Sequence, residues 1–229
     1  MSNRKVEIAA NLQEVRDRIS RAADLADRDP AEIELIVVTK TFPITDIEIL
    51  SELGEHNFGE NRDQEAAPKA IAISATSTTS ITWHFQGQIQ SNKIKTISQW
   101  ADVIHSISTT KEILKFAQSP RRHQVFLQVS LDGELERGGA SPNELAELAE
   151  LVNESNNLEL MGLMAVGPLG VDPEIAFADL AQIHQGFKDV FPNAKYLSAG
   201  MSGDFEAAIL HGATHIRVGS SILGSRSPR

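Results

Sequence analysis

Apolar residues open the chain at helical spacing. Val6, Ile8, Leu12, Val15, Ile19, Ala22 and Ala26 recur every three or four positions with Arg and Asp residues between them, which predicts an amphipathic helix over residues 6–26. The period then changes. Glu34-Leu35-Ile36-Val37-Val38-Thr39-Lys40 is apolar on both alternating faces, as expected of a parallel strand covered on two sides. The same unit recurs down the chain as a short β-like run, a turn with capping residues, and a helical stretch. Seven further strands are centred on residues 56–59, 81–85, 102–105, 125–129, 160–164, 195–198 and 214–218.

Punctuation supports this division. Thr45 with Glu48, Thr109 with Glu112, and Ser141 with Glu144 have the spacing of capping boxes, the last with Pro142 at the first helical position. Gly54 and Gly212 fall where left-handed helix stops are expected, just before the second and eighth strands. Ser74-Ala75-Thr76-Ser77-Thr78-Thr79-Ser80 is low in complexity and reads as a surface connection. Eight βα units in about 200 residues favour an α/β fold closed as a (β/α)8 TIM barrel, preceded by one extra helix, with residues 1–229 as a single domain. Closure would bring the first and eighth strands together at a catalytic mouth formed by the C-terminal strand ends.

Composition narrows the chemistry. The net charge of -10 and the scatter of the 21 basic residues argue against nucleic acid as a partner. No apolar stretch is long enough to span a bilayer, and Met1-Ser2-Asn3-Arg4-Lys5 leads into a charged segment and not a signal peptide, so a cytoplasmic location is expected. The absence of cysteine excludes thiolate nucleophiles, thiolate metal sites and disulfides. His211 and His215 are four apart, but Gly212 interrupts the helix they would need to share as a metal pair.

Lys40 ends the first strand in register with Ile36 and Val38. A lysine becomes an amine nucleophile toward aldehydes when burial and a nearby cation disfavour its ammonium form. Arg217, at the end of the eighth strand and next to Lys40 if the barrel closes, is either that cation or one half of an ion pair at the barrel rim. Ser198-Ala199-Gly200-Met201-Ser202-Gly203-Asp204 and Gly219-Ser220-Ser221 are small-residue turns whose backbone N–H groups, with the helices that follow, suit a phosphate. In the third strand Thr82, His84 and Gln86 alternate with Ile81, Trp83 and Phe85, which turns His84 into the barrel either as a ligand contact or as a structural histidine. Asn61 either bonds a ring substituent or caps the next helix. The acidic run Asp132-Gly133-Glu134-Leu135-Glu136-Arg137-Gly138-Gly139 reads as a flexible, solvated connection.

Six ordered motifs carry a resemblance over nearly the whole chain: Val37-Val38-Thr39-Lys40, residues 58–65 from Phe58-Gly59-Glu60-Asn61 to Glu65, Trp83-His84-Phe85-Gln86-Gly87 with Gln90-Ser91-Asn92-Lys93, Met161-Gly162-Leu163-Met164, residues 197–202, and Arg217-Val218-Gly219. The chain resembles the pyridoxal phosphate homeostasis protein family, whose fold is similar to the N-terminal barrel of alanine racemase, the type III fold of enzymes using pyridoxal 5′-phosphate (PLP). The resemblance implies that PLP is held covalently as a Schiff base on Lys40, that Arg217 faces the pyridine nitrogen, and that Ser202, Gly219 and Ser220 hold the phosphate. Asn61, His84 and Met201 would complete the pocket. Ser220 stands where relatives often have threonine and Ala199 where many have methionine, which touches pocket detail only.

A permanent cation at the pyridine nitrogen opposes its protonation and weakens the ring as an electron sink. The resembling racemase also takes a tyrosine from a partner chain's second domain, whereas the single tyrosine here, Tyr196, falls in the seventh strand. The expectation is a monomeric PLP carrier that buffers the cofactor or delivers it through transient contacts with PLP-dependent apo-enzymes. The alternatives are a single-domain PLP-dependent amino-acid racemase and a barrel enzyme whose phosphorylated substrate forms the Schiff base.

Overall fold

The alternation of strand and helix periods along the chain is realised unit by unit. The structure is a computed structural model describing residues 3–76, 80–134 and 137–224. Helix α1 (Asn3–Leu25) leads into β1 (Glu34–Val38), α2 (Ile44–Glu52), β2 (Asn57–Glu60), α3 (Asp63–Thr76), β3 (Thr82–Phe85) and α4 (Ile94–Trp100). The chain continues as β4 (Val103–Ile107), α5 (Thr110–Phe116), β5 (His123–Gln128), α6 (Leu145–Asn153), β6 (Leu158–Met164) and α7 (Pro173–Val190). It finishes with β7 (Tyr196–Met201), α8 (Phe205–Leu210), β8 (His215–Val218) and the short α9 (Ser220–Leu223).

The eight strands form a closed parallel barrel in sequence order. β8 pairs with β1, Arg217 lying opposite Ile36 and Val218 opposite Val37, so the two ends of the chain meet. Closure leaves no unpaired strand edge, which satisfies backbone groups that an open sheet would expose.

Two apolar layers follow from the strand alternation. The outward residues, such as Val37, Phe58, Trp83, Ile104 and Leu163, join the buried helix faces in one large core. Inside the barrel a much smaller cluster of Val103, Phe126 and Met164 fills part of the axis. Buried polar side chains share that interior, among them His84, His105, Ser198 and Arg217.

Helix α1 buries Ile8, Leu12, Val15 and Ile19, each contributing about 1.5–3 kcal/mol by removal from water. It packs beside α2, α8 and α9, across the seam where the ends meet. Asn11 Nδ2 donates to Ile222 O at 3.0 Å, and Arg28 Nη1 reaches Ile209 O and Ala213 O at 3.0 and 2.8 Å. The leading helix thus braces α9, and the turn that follows α1 braces the end of α8.

The capping expectations divide. Thr109 and Glu112 form the reciprocal box at α5, and Ser141 with Glu144 form one that opens a 3₁₀ turn from Pro142. Thr45 and Glu48 do not: α2 begins at Ile44 with Pro43 in the capping position, which puts Thr45 inside the first turn. Gly54 and Gly212 both adopt φ +92°, the left-handed stop expected of them. The low-complexity connection is corrected in part, because α3 runs on through Ser74 and Ala75 to Thr76; residues 77–79 lie outside the described residues. The acidic run is also more tied down than a solvated connection. Arg137 bonds the carbonyls of Val166 and Gly167 and pairs with Asp132, while residues 135 and 136 lie outside the described residues.

Candidate functional site

Strand β1 stops at Val38, and Thr39 then anchors the turn that carries Lys40. Thr39 Oγ1 donates to Glu60 Oε1 at 2.8 Å, and Lys69 Nζ bonds both Glu60 Oε1 at 2.7 Å and Thr39 O at 2.9 Å. Burial pushes the Glu60 carboxyl up from its ordinary value, against the pull of Lys69 and Thr39. Thr41 takes a left-handed φ of +69° and its N–H donates to Glu65 Oε2 at 3.1 Å. The backbone on both sides of Lys40 is therefore fixed.

Arg217 is 4% exposed, yet it is not the rim ion pair that local sequence allowed. Its Nη1 donates to Ser198 O and Ser198 Oγ, both at 2.8 Å, and its Nη2 to Ala165 O at 2.9 Å. All three acceptors are neutral. Burial lowers its pKa to about 10, still cationic at neutral pH, with Asp204 acting in the opposite sense.

Lys40 and Arg217 line one cavity of about 330 Å³ at the C-terminal face of the barrel. Asn61, Met201, Ser202, Gly219 and Ser220 line it too. His84 is not among the lining residues; it is bonded to His105 in the barrel interior, which favours the structural of the two places its alternation allowed. Asn61 does not cap α3, since its Oδ1 is buried with no hydrogen-bond partner. Ser202 does not cap α8 either, a place taken by Asp204. Instead its Oγ accepts the Gly219 N–H at 3.2 Å, which ties the turn after β7 to the turn after β8. The helices following these turns have six and four residues, so the anion-holding capacity rests on local N–H and hydroxyl groups more than on a summed helix dipole.

Gln86 was missed as a lining residue. It continues the polar face of Thr82 and His84, and its Nε2 is buried without a partner. Gly59 makes room for it, because a Cβ there would lie 1.6 Å from Gln86 Nε2. Phe42, Met164 and Val166 add apolar wall; Met164 belongs to one of the six motifs, whereas Phe42 and Val166 carry no sequence signal beyond hydrophobicity. A larger groove of about 800 Å³ lies over the loops after β5 and β6. Asp132, Glu134, Glu144 and Asp179 line it, a charge that repels phosphate, so the smaller cavity is the candidate site.

A closed barrel with a lysine after β1, an arginine on β8 and small-residue turns after β7 and β8 defines a class of protein. Residues 10–227 match the family described as alanine racemase, N-terminal domain. The alanine racemase of Corynebacterium glutamicum shares the fold, with a TM-score of 0.66 at 13% identity over 95% of this chain and 60% of that one. The pyridoxal phosphate homeostasis protein of Mycobacterium leprae is 41% identical over 248 residues, 99% of this chain and 96% of its own length. PipY of Synechococcus elongatus, solved with PLP bound, is 31% identical with a TM-score of 0.81, covering 95% of this chain and 100% of that one. The chain belongs to the pyridoxal phosphate homeostasis protein family. No described helix is long and apolar enough to cross a membrane.

Proposed function

We propose that this chain binds PLP in the 330 Å³ cavity and serves intracellular PLP homeostasis as a carrier. The observation that carries the reading is the meeting of Lys40 and Arg217, from opposite ends of the sequence, in one cavity with two unpartnered buried polar atoms. An orphaned acceptor on Asn61 and an orphaned donor on Gln86 are unfavourable unless a polar ligand or an ordered water satisfies them, and a polar ligand in this cavity can do so. They fit the ring substituents of a pyridoxal. Bound PLP supplies an aldehyde carbon, which exchanges its oxygen for an amine nitrogen and releases one water.

Lys40 provides that amine. Arg217 donates to the ring nitrogen and, having no acceptor of its own, holds that nitrogen unprotonated. Ser202 and Ser220 take the phosphate through hydroxyl and N–H groups, Gly219 holding the Ser202 hydroxyl in place and leaving room for the anion, while Met201 and Phe42 cover the ring. An unprotonated ring is a weak electron sink, which favours holding the cofactor over turning substrates over. In this reading the whole chain is one PLP-binding unit, a cytoplasmic monomer that passes the vitamer on through transient contacts with apo-enzymes.

The protein mixed with PLP should show a visible absorption band. Borohydride reduction followed by peptide mass analysis should place the added mass on Lys40, and Lys40→Ala should lose both signals with its fold intact. A reduced adduct on a different lysine overturns the assignment.

A further inference from the structure

Beneath the cavity the barrel interior holds buried polar side chains that PLP binding does not itself require. From Arg217 Nη1 the contacts run 2.8 Å to Ser198 Oγ, then 2.9 Å from that oxygen to His105 Nδ1. His105 Nε2 lies 2.9 Å from His84 Nδ1, and His84 Nε2 lies 3.2 Å from Asn57 Oδ1. The five residues come from β8, β7, β4, β3 and β2, and the middle three are at most 1% exposed. His105 is also stacked on Phe126, ring centroids 4.6 Å apart.

The direction of this chain follows from its donor inventory. Arginine only donates, so the Ser198 oxygen accepts from Arg217 and its single proton goes to its other neighbour, His105 Nδ1. The His105 proton is then on Nε2 and is donated to His84 Nδ1. His84 repeats the pattern, and its Nε2 proton meets the Asn57 side-chain oxygen, which accepts. The polarity deduced from one end agrees with the group standing at the other.

We propose that Ser198, His105 and His84 are positioning residues, a one-way hydrogen-bond chain that holds the Arg217 guanidinium as a fixed donor at the floor of the cavity. The proposal rests on the reading that Arg217 meets the PLP ring nitrogen. Among the described residues Arg217 has no carboxylate in ion-pair contact, and the chain explains what that achieves. A carboxylate partner would orient the guanidinium but cancel much of its field; neutral groups orient it and leave the full charge facing the ring. A doubly protonated imidazole would break the sequence, since it would turn a second proton toward a neighbour already donating. Burial, the largest cause, lowers His84 to about 3 and holds His105 well below its ordinary value. The charged or titratable group acting on the His84 ring is His215, and those acting on the His105 ring are His84, Arg217 and His215.

Nitrogen-15 NMR of the full-length protein, with and without PLP, should find both rings neutral, protonated on Nε2, and not titrating between about pH 5 and 8. Ser198→Ala removes one oxygen, and His105→Phe removes both ring nitrogens. Each should shift the absorption band of bound PLP and weaken its retention by about tenfold, the effect of one hydrogen bond to a charged group. His105→Gln can accept from Ser198 and donate to His84, and should restore the parent band. A proton on Nδ1 of either ring, titration inside that window, or an unmoved band in Ser198→Ala where Arg217→Glu does move it overturns the chain. An unmoved band in Arg217→Glu as well overturns the ring-nitrogen contact beneath it, whatever the NMR shows. Should His105→Phe fail to fold, the tautomers of the unaltered protein and the Ser198→Ala spectrum still decide.

Discussion

At the scale of single residues, two glycines beside the cavity separate stability from binding. A Cβ on Gly87 would lie 2.0 Å from the carbonyl oxygen of Asn61, a backbone atom that cannot move without displacing the turn after β2. Gly87→Ala should cost about 1–3 kcal/mol, the usual penalty of overpacking, and should lower the urea midpoint. At Gly59 the nearest obstacle is the end of a side chain, Gln86 Nε2. Gly59→Ala should therefore push Gln86 out of the cavity wall and weaken PLP retention more than it lowers the midpoint; equal losses in the two measurements would count against the assignment of Gln86 to the site.

At the scale of elements, helix starts depend on which residue sits just outside the first turn, and spacing alone does not reveal it. Thr109 and Thr45 each stand three residues before a glutamate, yet only Thr109 completes a box. Pro43, itself extended, occupies the capping position, so α2 starts at Ile44 with Ile47 and Leu50 facing the core. Thr109→Ala should cost about 1 kcal/mol, and Thr45→Ala should stay within about 0.5 kcal/mol of the parent in the same denaturation experiment. The same lesson applies to the phosphate turns. Gly and Ser composition marked two turns that line the cavity, while the shortness of α8 and α9 became visible only in the folded chain.

At the scale of the whole molecule, buried neutral histidines set the acid limit of stability. Burial lowers His84 to about 3 and both His184 and His215 to about 4, against an ordinary value of 6.5. Below that ordinary value the unfolded chain takes up protons that the folded chain refuses. Their contribution is therefore intact above pH 6.5 and is lost as pH falls toward 4, at about 1.4 kcal/mol per pH unit for each ring. The urea midpoint should fall between about pH 6.5 and 5, before most carboxylates titrate, and His184→Gln, on α7 away from the cavity, should make the fall shallower. A midpoint flat across that interval would mean that the buried rings are protonated in the folded protein.

The fold was legible from sequence because strand and helix periods are local properties, fixed by residues a few positions apart. Eight apolar runs with helices between them sufficed for the barrel, and barrel closure sufficed to bring Lys40 and Arg217 together. Side-chain partnerships across the barrel axis were not legible. His84 could be turned inward by its alternation, but whether it met a ligand or another ring depended on His105, 21 positions away, and on Ser198, 93 positions beyond His105. Inward-facing residues of non-neighbouring strands converge on one axis at distances set by register, bulges and shear, which no local pattern encodes. The chain itself determined its elements and the end of the barrel where chemistry can occur; only the closed cylinder decided which buried groups share a proton.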